Sequence, residues 1–127
     1  MKIPHLLNGN DLTLRVPMER HYMSNGSLVK AGITIRDITD AKVYAVSENN
    51  AEIALQYDEY QEGVLVSLGG SATTCGYYGL KITGKYGERA VRSYIDRYFK
   101  LVHDEEEADT APDGNGVYDM AQPMVIR

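Results

Sequence analysis

Apolar and polar side chains alternate along most of the chain up to Val102. The clearest case is residues 75–102, CGYYGLKITGKYGERAVRSYIDRYFKLV, where two alternating runs flank the Gly84–Gly87 turn. In the first run Tyr78, Leu80 and Ile82 share a face, with Lys81 and Thr83 opposite. In the second, Val91, Ile95, Phe99 and Leu101 share a face, with Arg92, Asp96 and Lys100 opposite. Period-two alternation about a glycine-bearing turn predicts a half-buried antiparallel hairpin. Val91, Tyr94, Ile95, Tyr98, Phe99 and Val102 also fit helical spacing. The β-branched and aromatic content and the turn favour strand over residues 89–102.

The same pattern recurs upstream. Residues 1–10 read as an extended lead-in. Residues 11–16 set Leu12, Leu14 and Val16 against Thr13 and Arg15, and Ser24-Asn25-Gly26-Ser27 is a turn signal. Residues 28–37 carry Ile33 and Ile35 on one face, residues 41–47 carry Val43 and Ala45, and Asn49-Asn50 marks another turn. Residues 51–57 (Ile53, Leu55, Tyr57) and 63–68 (Val64, Val66, Leu68) complete the set before the polar Gly69-Gly70-Ser71 loop. About seven short strands with turn signals between them predict an all-β domain, an antiparallel β-sandwich of Ig-like type, rather than βαβ units.

Composition changes this picture in one place. The net charge of −5 belongs to the end of the chain: residues 1–103 hold 12 basic and 11 acidic side chains, while residues 104–127 hold seven acids and one base, Arg127. We therefore divide the chain into a β-sandwich domain, 1–103, and an acidic linker with a C-terminal segment, 104–127, expected to be flexible. The run DEEEADTAPDGNG at 104–116 lacks large apolar residues and cannot offset its own ordering entropy. Residues 117–127 regain Val117, Tyr118, Met120, Met124, Val125 and Ile126, and the sequence leaves open whether they dock on the body or hang free. No apolar run reaches membrane-spanning length and the N-terminus has no signal-like apolar stretch, so the expected partners include no membrane and the expected site of synthesis is the cytoplasm.

Candidate chemistry is sparse. Gly79 to Lys85 follows a phosphate-binding loop until its last position, where Tyr86 replaces the required hydroxyl residue. Residues 109–114 and 113–116 resemble calcium-loop fragments, but Ala111, Val117 and Met120 stand where oxygen ligands belong. His5, His21 and His103 lack metal-ligand spacing. Cys75 and Ser71 are the candidate nucleophiles, and neither has a base beside it in sequence, although a trio can assemble from distant positions. The expectation is a protein without cofactor, metal or catalytic residues.

The hairpin interleaves Lys81, Lys85, Arg89, Arg92, Arg97 and Lys100 with Tyr77, Tyr78, Tyr86, Tyr94 and Tyr98. Such a set can bind single-stranded nucleic acid, but these are equally the water-facing positions of an outer sheet, and the acidic end would compete with phosphates. No nucleic-acid partner is expected. The Gly76-Tyr77-Tyr78-Gly79 start of the first run also matches the tyrosine corner of Ig-like sandwiches, in which a tyrosine hydroxyl bonds upstream backbone.

A leading strand, then Ile38-Thr-Asp-Ala-Lys-Val43, then Val64-Leu-Val-Ser-Leu-Gly69, then the Tyr-x-Leu-x-Ile hairpin ending Phe99-Lys-Leu-Val102, resembles the Ig-like N-terminal domain of phage baseplate upper proteins and related prophage tail modules over about residues 10–102. The resemblance implies a β-sandwich that builds multimeric tail tips in a virion and carries no catalytic residues. The chain departs from that pattern in lacking a helical stalk or receptor-binding domain after the body. The expected function is a non-enzymatic structural or assembly module whose partners are other protein subunits, as a homo-oligomer or among baseplate components. Tyr77, Tyr78 and Tyr98 are the expected contact residues, chosen for ring area and half-exposure. The alternative is a carbohydrate- or peptide-binding module that uses tyrosines as stacking platforms.

Overall fold

The computed structural model describes residues 3–7, 12–68, 74–104, 108–109 and 117–127. Among these residues ten strands run in chain order: β1 (His5–Leu7), β2 (Leu12–Ser24), β3 (Ser27–Gly32), β4 (Thr39–Ser47), β5 (Glu52–Tyr60), β6 (Gly63–Leu68), β7 (Gly76–Tyr86), β8 (Arg89–Val102), β9 (Val117–Asp119) and β10 (Met124–Ile126). A 3-10 turn, Ile35–Asp37, follows β3, capped by the Thr34 hydroxyl and the Asp37 carboxylate. Among the described residues there is no α-helix, and no helix long and apolar enough to cross a membrane.

The strands form one sheet in the order β1-β8-β7-β4-β5-β6-β2-β10, with β3 and β9 also paired to β2. The sheet curls because its long strands change partners halfway. The first half of β5 pairs with β4 and its second half with β6. Likewise β2 pairs with β6 up to Pro17 and with β3 from Glu19 onward. Pro17 has no N–H to give to a ladder and stands where the partner changes. The curl brings β10 back against β8. There the Tyr98 hydroxyl donates to the Gln122 carbonyl at 2.6 Å and the Arg89 guanidinium to the Arg127 carbonyl at 2.9 Å. No ladder joins β8 to β10 among the described residues, so the curl is a partial barrel closed by side chains.

Alternation decides what fills it. Leu14, Val16 and Met18 of β2, Val64 and Val66 of β6, Leu80 and Ile82 of β7, Phe99 of β8, and Met124 and Ile126 of β10 point inward and are almost wholly buried. These shared faces form one apolar core. Burying each such side chain stabilises the fold by about 1.5–3 kcal/mol before entropy is counted.

The all-β expectation holds, and residues 89–102 form a strand. The purely antiparallel, seven-strand arrangement does not describe the sheet, which is mixed. β1 lies parallel to β8, and both β9 and β10 lie parallel to β2. These three strands are three residues long, too short to show alternation, and parallel pairing across the chain leaves no local turn signal. The question of residues 117–127 is answered in favour of docking: Met120, Met124 and Ile126 belong to the core. Of the proposed acidic linker, residues 105–107 and 110–116 lie outside the described residues. Asp109 exchanges two hydrogen bonds with the His5 backbone, at 2.8 and 2.7 Å. Residues 28–37 are not one strand, since β3 ends at Gly32 and the 3-10 turn buries Ile35.

Candidate functional site

The β2–β3 hairpin extends past the point where β6 leaves β2. Its turn is Asn25-Gly26, both residues at positive φ (51° and 80°), the geometry a two-residue turn between twisted strands requires. Glu19 to Ser24 pair with Ser27 to Gly32 in register, placing Met23 opposite Leu28. These two side chains are 65% and 57% exposed, the largest exposures of any big apolar residue described. Arg20 lies over the rings of Tyr22 and Tyr86, at 4.5 and 4.7 Å, and ties the base of the arm to the tip of β7. On the opposite face Glu19 and His21 pair at 3.0 Å. Among the described residues β3 pairs with β2 alone. Counting from the closing pair Ser24–Ser27, the main-chain groups of Leu28, Lys30 and Gly32 point away from β2.

The second feature is the β7–β8 hairpin. Its turn is Gly87-Glu88 rather than the whole Gly84–Gly87 stretch, and Gly84 lies inside β7. Between Tyr78–Phe99 and Leu80–Ile95 the register slips, so β8 carries a bulge at Asp96-Arg97, with Arg97 at φ 49°. Gly79 stands opposite that bulge. A Cβ there would lie 2.7 Å from Cε1 of Tyr94 and 2.8 Å from its hydroxyl, so the Tyr94 ring lies directly across the glycine backbone.

The three tyrosines expected at contacts fall in different places. Tyr78 is 3% exposed, stacks on Phe99 at 5.6 Å, and donates its hydroxyl to the Thr74 carbonyl at 2.6 Å. That bond, four residues upstream, has the tyrosine-corner form. Tyr98 is also 3% exposed and its hydroxyl is held by Gln122. Burial raises its phenol well above the ordinary tyrosine range. Half-exposure is thus corrected for Tyr78 and Tyr98, because the core covers one and the returning C-terminal segment covers the other. Tyr77 alone keeps it, flanked by the Arg97 guanidinium at 4.9 Å and the Lys100 ammonium at 5.0 Å.

On the outer face of β4, β7 and β8, Tyr44 and Glu52, which the sequence did not single out, join Lys81 and Tyr94 of the basic and aromatic hairpin set. Register aligns Tyr44, Lys81 and Tyr94 in one row across three strands. Lys81 is only 9% exposed. Its ammonium pairs with the Glu52 carboxylate and sits 4.8 Å from the centre of the Tyr44 ring. Assigning Lys81 to a water-facing position is therefore corrected: an aromatic ring and a carboxylate from neighbouring strands replace its water. Tyr94 donates its hydroxyl to Asp96 at 3.1 Å. Desolvation, with that hydrogen bond and the Asp96 charge, raises the Tyr94 phenol, and Arg92 works in the opposite direction. Alternating position would have shown Tyr44 and Tyr94 on the polar phase of their strands, but only the pairing register brings them together.

Among the chemical candidates, Cys75 Sγ lies 3.3 Å from Nδ1 of His103, a neighbour 28 residues away in sequence. Ser71 lies outside the described residues, as does most of each calcium-like fragment. Gly79 to Lys85 form the middle of β7 rather than a phosphate-cradling loop. No group of three or more His, Cys, Asp or Glu that could hold a metal occurs among the described residues. No family model, curated protein or solved structure matches this chain.

Proposed function

We propose that this chain is a non-enzymatic assembly module that joins neighbouring copies of itself through the β2–β3 arm. The observation that carries the reading is the combination at β3: an outer edge with no strand beside it among the described residues, and Met23 and Leu28 exposed side by side at the tip. Open edges recruit further strands, and soluble proteins ordinarily blunt them. Lys30 is the single charged side chain on β3, so this edge is only lightly protected. Pairing would supply main-chain hydrogen bonds to Leu28, Lys30 and Gly32, and the apolar tip would lose its water. The resemblance to phage baseplate domains supports the kind of assembly meant, a multimeric tail tip, with a virion as its location.

The test is light scattering of the whole chain over a hundredfold concentration range, beside the Met23→Lys/Leu28→Lys variant. A defined oligomer that the variant dissociates, with an unchanged circular dichroism spectrum, supports the reading. A strict monomer at every concentration sinks it.

A further inference from the structure

We propose that the outer face of β4, β7 and β8 binds an extended glycan bearing carboxylate groups. The argument starts from three rows that the register lays side by side across the sheet. The middle row is Tyr44, Lys81 and Tyr94. On one side runs Lys42, Thr83 and Arg92. On the other, Glu52 lies beside Val46, and Asp96 sits in the bulge opposite Gly79. Aromatic rings are thus bordered by cations along one edge and by carboxylates along the other.

Each row matches part of one ligand. Tyr44 rests one side of its ring against the Lys81 ammonium, and Tyr94 rests on the Gly79 backbone. Both residues are in part exposed, Tyr94 at 39% with the Arg92 guanidinium over its ring, 5.8 Å from the centre. They stand two strands apart, about 9.5 Å at the usual interstrand spacing. That separation suits alternate sugar rings of an extended β-linked chain better than successive nucleotide bases. Lys42 and Arg92 are exposed, and among the described residues neither has a carboxylate within ion-pair distance, so both can meet an anion. Glu52 and Asp96 accept hydrogen bonds, which suits hydroxyl groups and disfavours anions along that edge, so the anionic groups of a ligand belong on the Lys42 and Arg92 edge. A uronic-acid polymer offers both kinds of group. Beyond Tyr94 the row opens into a groove of about 450 Å³ between β8 and β10, lined by Gln122 and Arg127, giving room for a further sugar unit.

The surface lies on different strands from the arm, so this inference stands whether or not the chain assembles. The experiment is isothermal titration of the whole chain, at low salt, with three probes: a β-1,4-linked oligoglucuronate, the neutral cello-oligosaccharide of equal length, and a single-stranded oligodeoxynucleotide. The oligoglucuronate should bind, and the neutral sugar should bind at least about tenfold more weakly. Tyr94→Ala should weaken the acidic sugar about tenfold or more, whereas Tyr94→Phe, which keeps the ring and loses only the bond to Asp96, should bind like the parent. Lys42→Ala/Arg92→Ala should abolish the preference for the acidic over the neutral sugar. Absence of binding to both sugars, equal affinity for the parent and a folded Tyr94→Ala, or tighter binding of the oligonucleotide than of either sugar would each overturn the proposal.

Discussion

Replacing Tyr98 by phenylalanine removes one oxygen atom and tests how the curled sheet is closed. The hydroxyl donates to the Gln122 carbonyl at 2.6 Å, within a ring that is 3% exposed. Phenylalanine fills the same space but leaves that carbonyl without its donor, at a cost of about 1–2 kcal/mol. For a chain of this length the melting temperature should fall by roughly 4–8 °C at neutral pH. The pH dependence carries a second, independent signature. Burial raises the folded-state phenol above its unfolded value of about 10, so the neutral form is the one the fold stabilises. The stabilisation is complete below the unfolded value and is lost as pH rises toward the folded one. By pH 11 the parent should have lost about 1.4 kcal/mol that the variant never had. Urea unfolding followed by circular dichroism at pH 8 and pH 11 reads both effects. The parent should be clearly the more stable at pH 8, and the gap should nearly close at pH 11. A gap that stays the same at both values would refute the assignment of Tyr98 as a buried, neutral clasp on the C-terminal segment.

Other substitutions probe separate parts of the fold. Gly79→Ala should destabilise the protein by about 1–3 kcal/mol in urea unfolding, because its methyl would meet the Tyr94 ring and the Ile95 carbonyl below 3 Å. Met124→Ala, at a site with no exposure, should cost about 2–5 kcal/mol, and a loss below 1 kcal/mol would show that residues 117–127 do not belong to the core. Glu52→Gln should cost more than Lys81→Met, since the first strands a buried ammonium while the second leaves a carboxylate that is about half exposed. Met23→Lys/Leu28→Lys should leave monomer stability within about 0.5 kcal/mol, because neither side chain is covered by the body.

Local pattern carried most of the architecture. Residues 63–68 form β6 with the limits that their alternation indicated, and Val91, Ile95, Phe99 and Leu101 face inward or partly so. The ambiguity between strand and helix in β8 has a structural cause. Val91, Ile95 and Phe99 are four residues apart, a spacing that shares a face both in a strand and in a helix, and only the pairing with β7 decides between them. What pattern could not carry was long-range. Tyr98 lies on the polar phase of β8 yet belongs to the core, with its hydroxyl on the carbonyl of the distant Gln122. Lys81 lies on the polar phase of β7 and is buried because Tyr44 and Glu52 arrive from two other strands. Cys75 and His103 meet only because β7 and β8 pair along their length. Each miss involves a partner that no window of neighbouring residues contains.

The arm and the outer face differ in how firmly they are held, and the difference bears on what each can do. Lysine leaves water at a steep cost unless a charge and a polarisable surface replace the solvent. Lys81 has both, in Glu52 and Tyr44, so displacing any one member of the row exposes the others to a worse environment. Tyr94 is fixed in its turn by the Gly79 backbone below and Asp96 at its hydroxyl. Rings fixed in advance lose little freedom when a ligand stacks on them, so more of the contact energy remains as affinity. Among the described residues nothing similar fixes Met23 and Leu28, which stand exposed on their own two-stranded ladder. A two-stranded ribbon beyond the body is marginal by itself and gains stability when a third strand joins it. If the two proposals hold, the face meets its ligand without rearranging, and the arm is completed by what it meets.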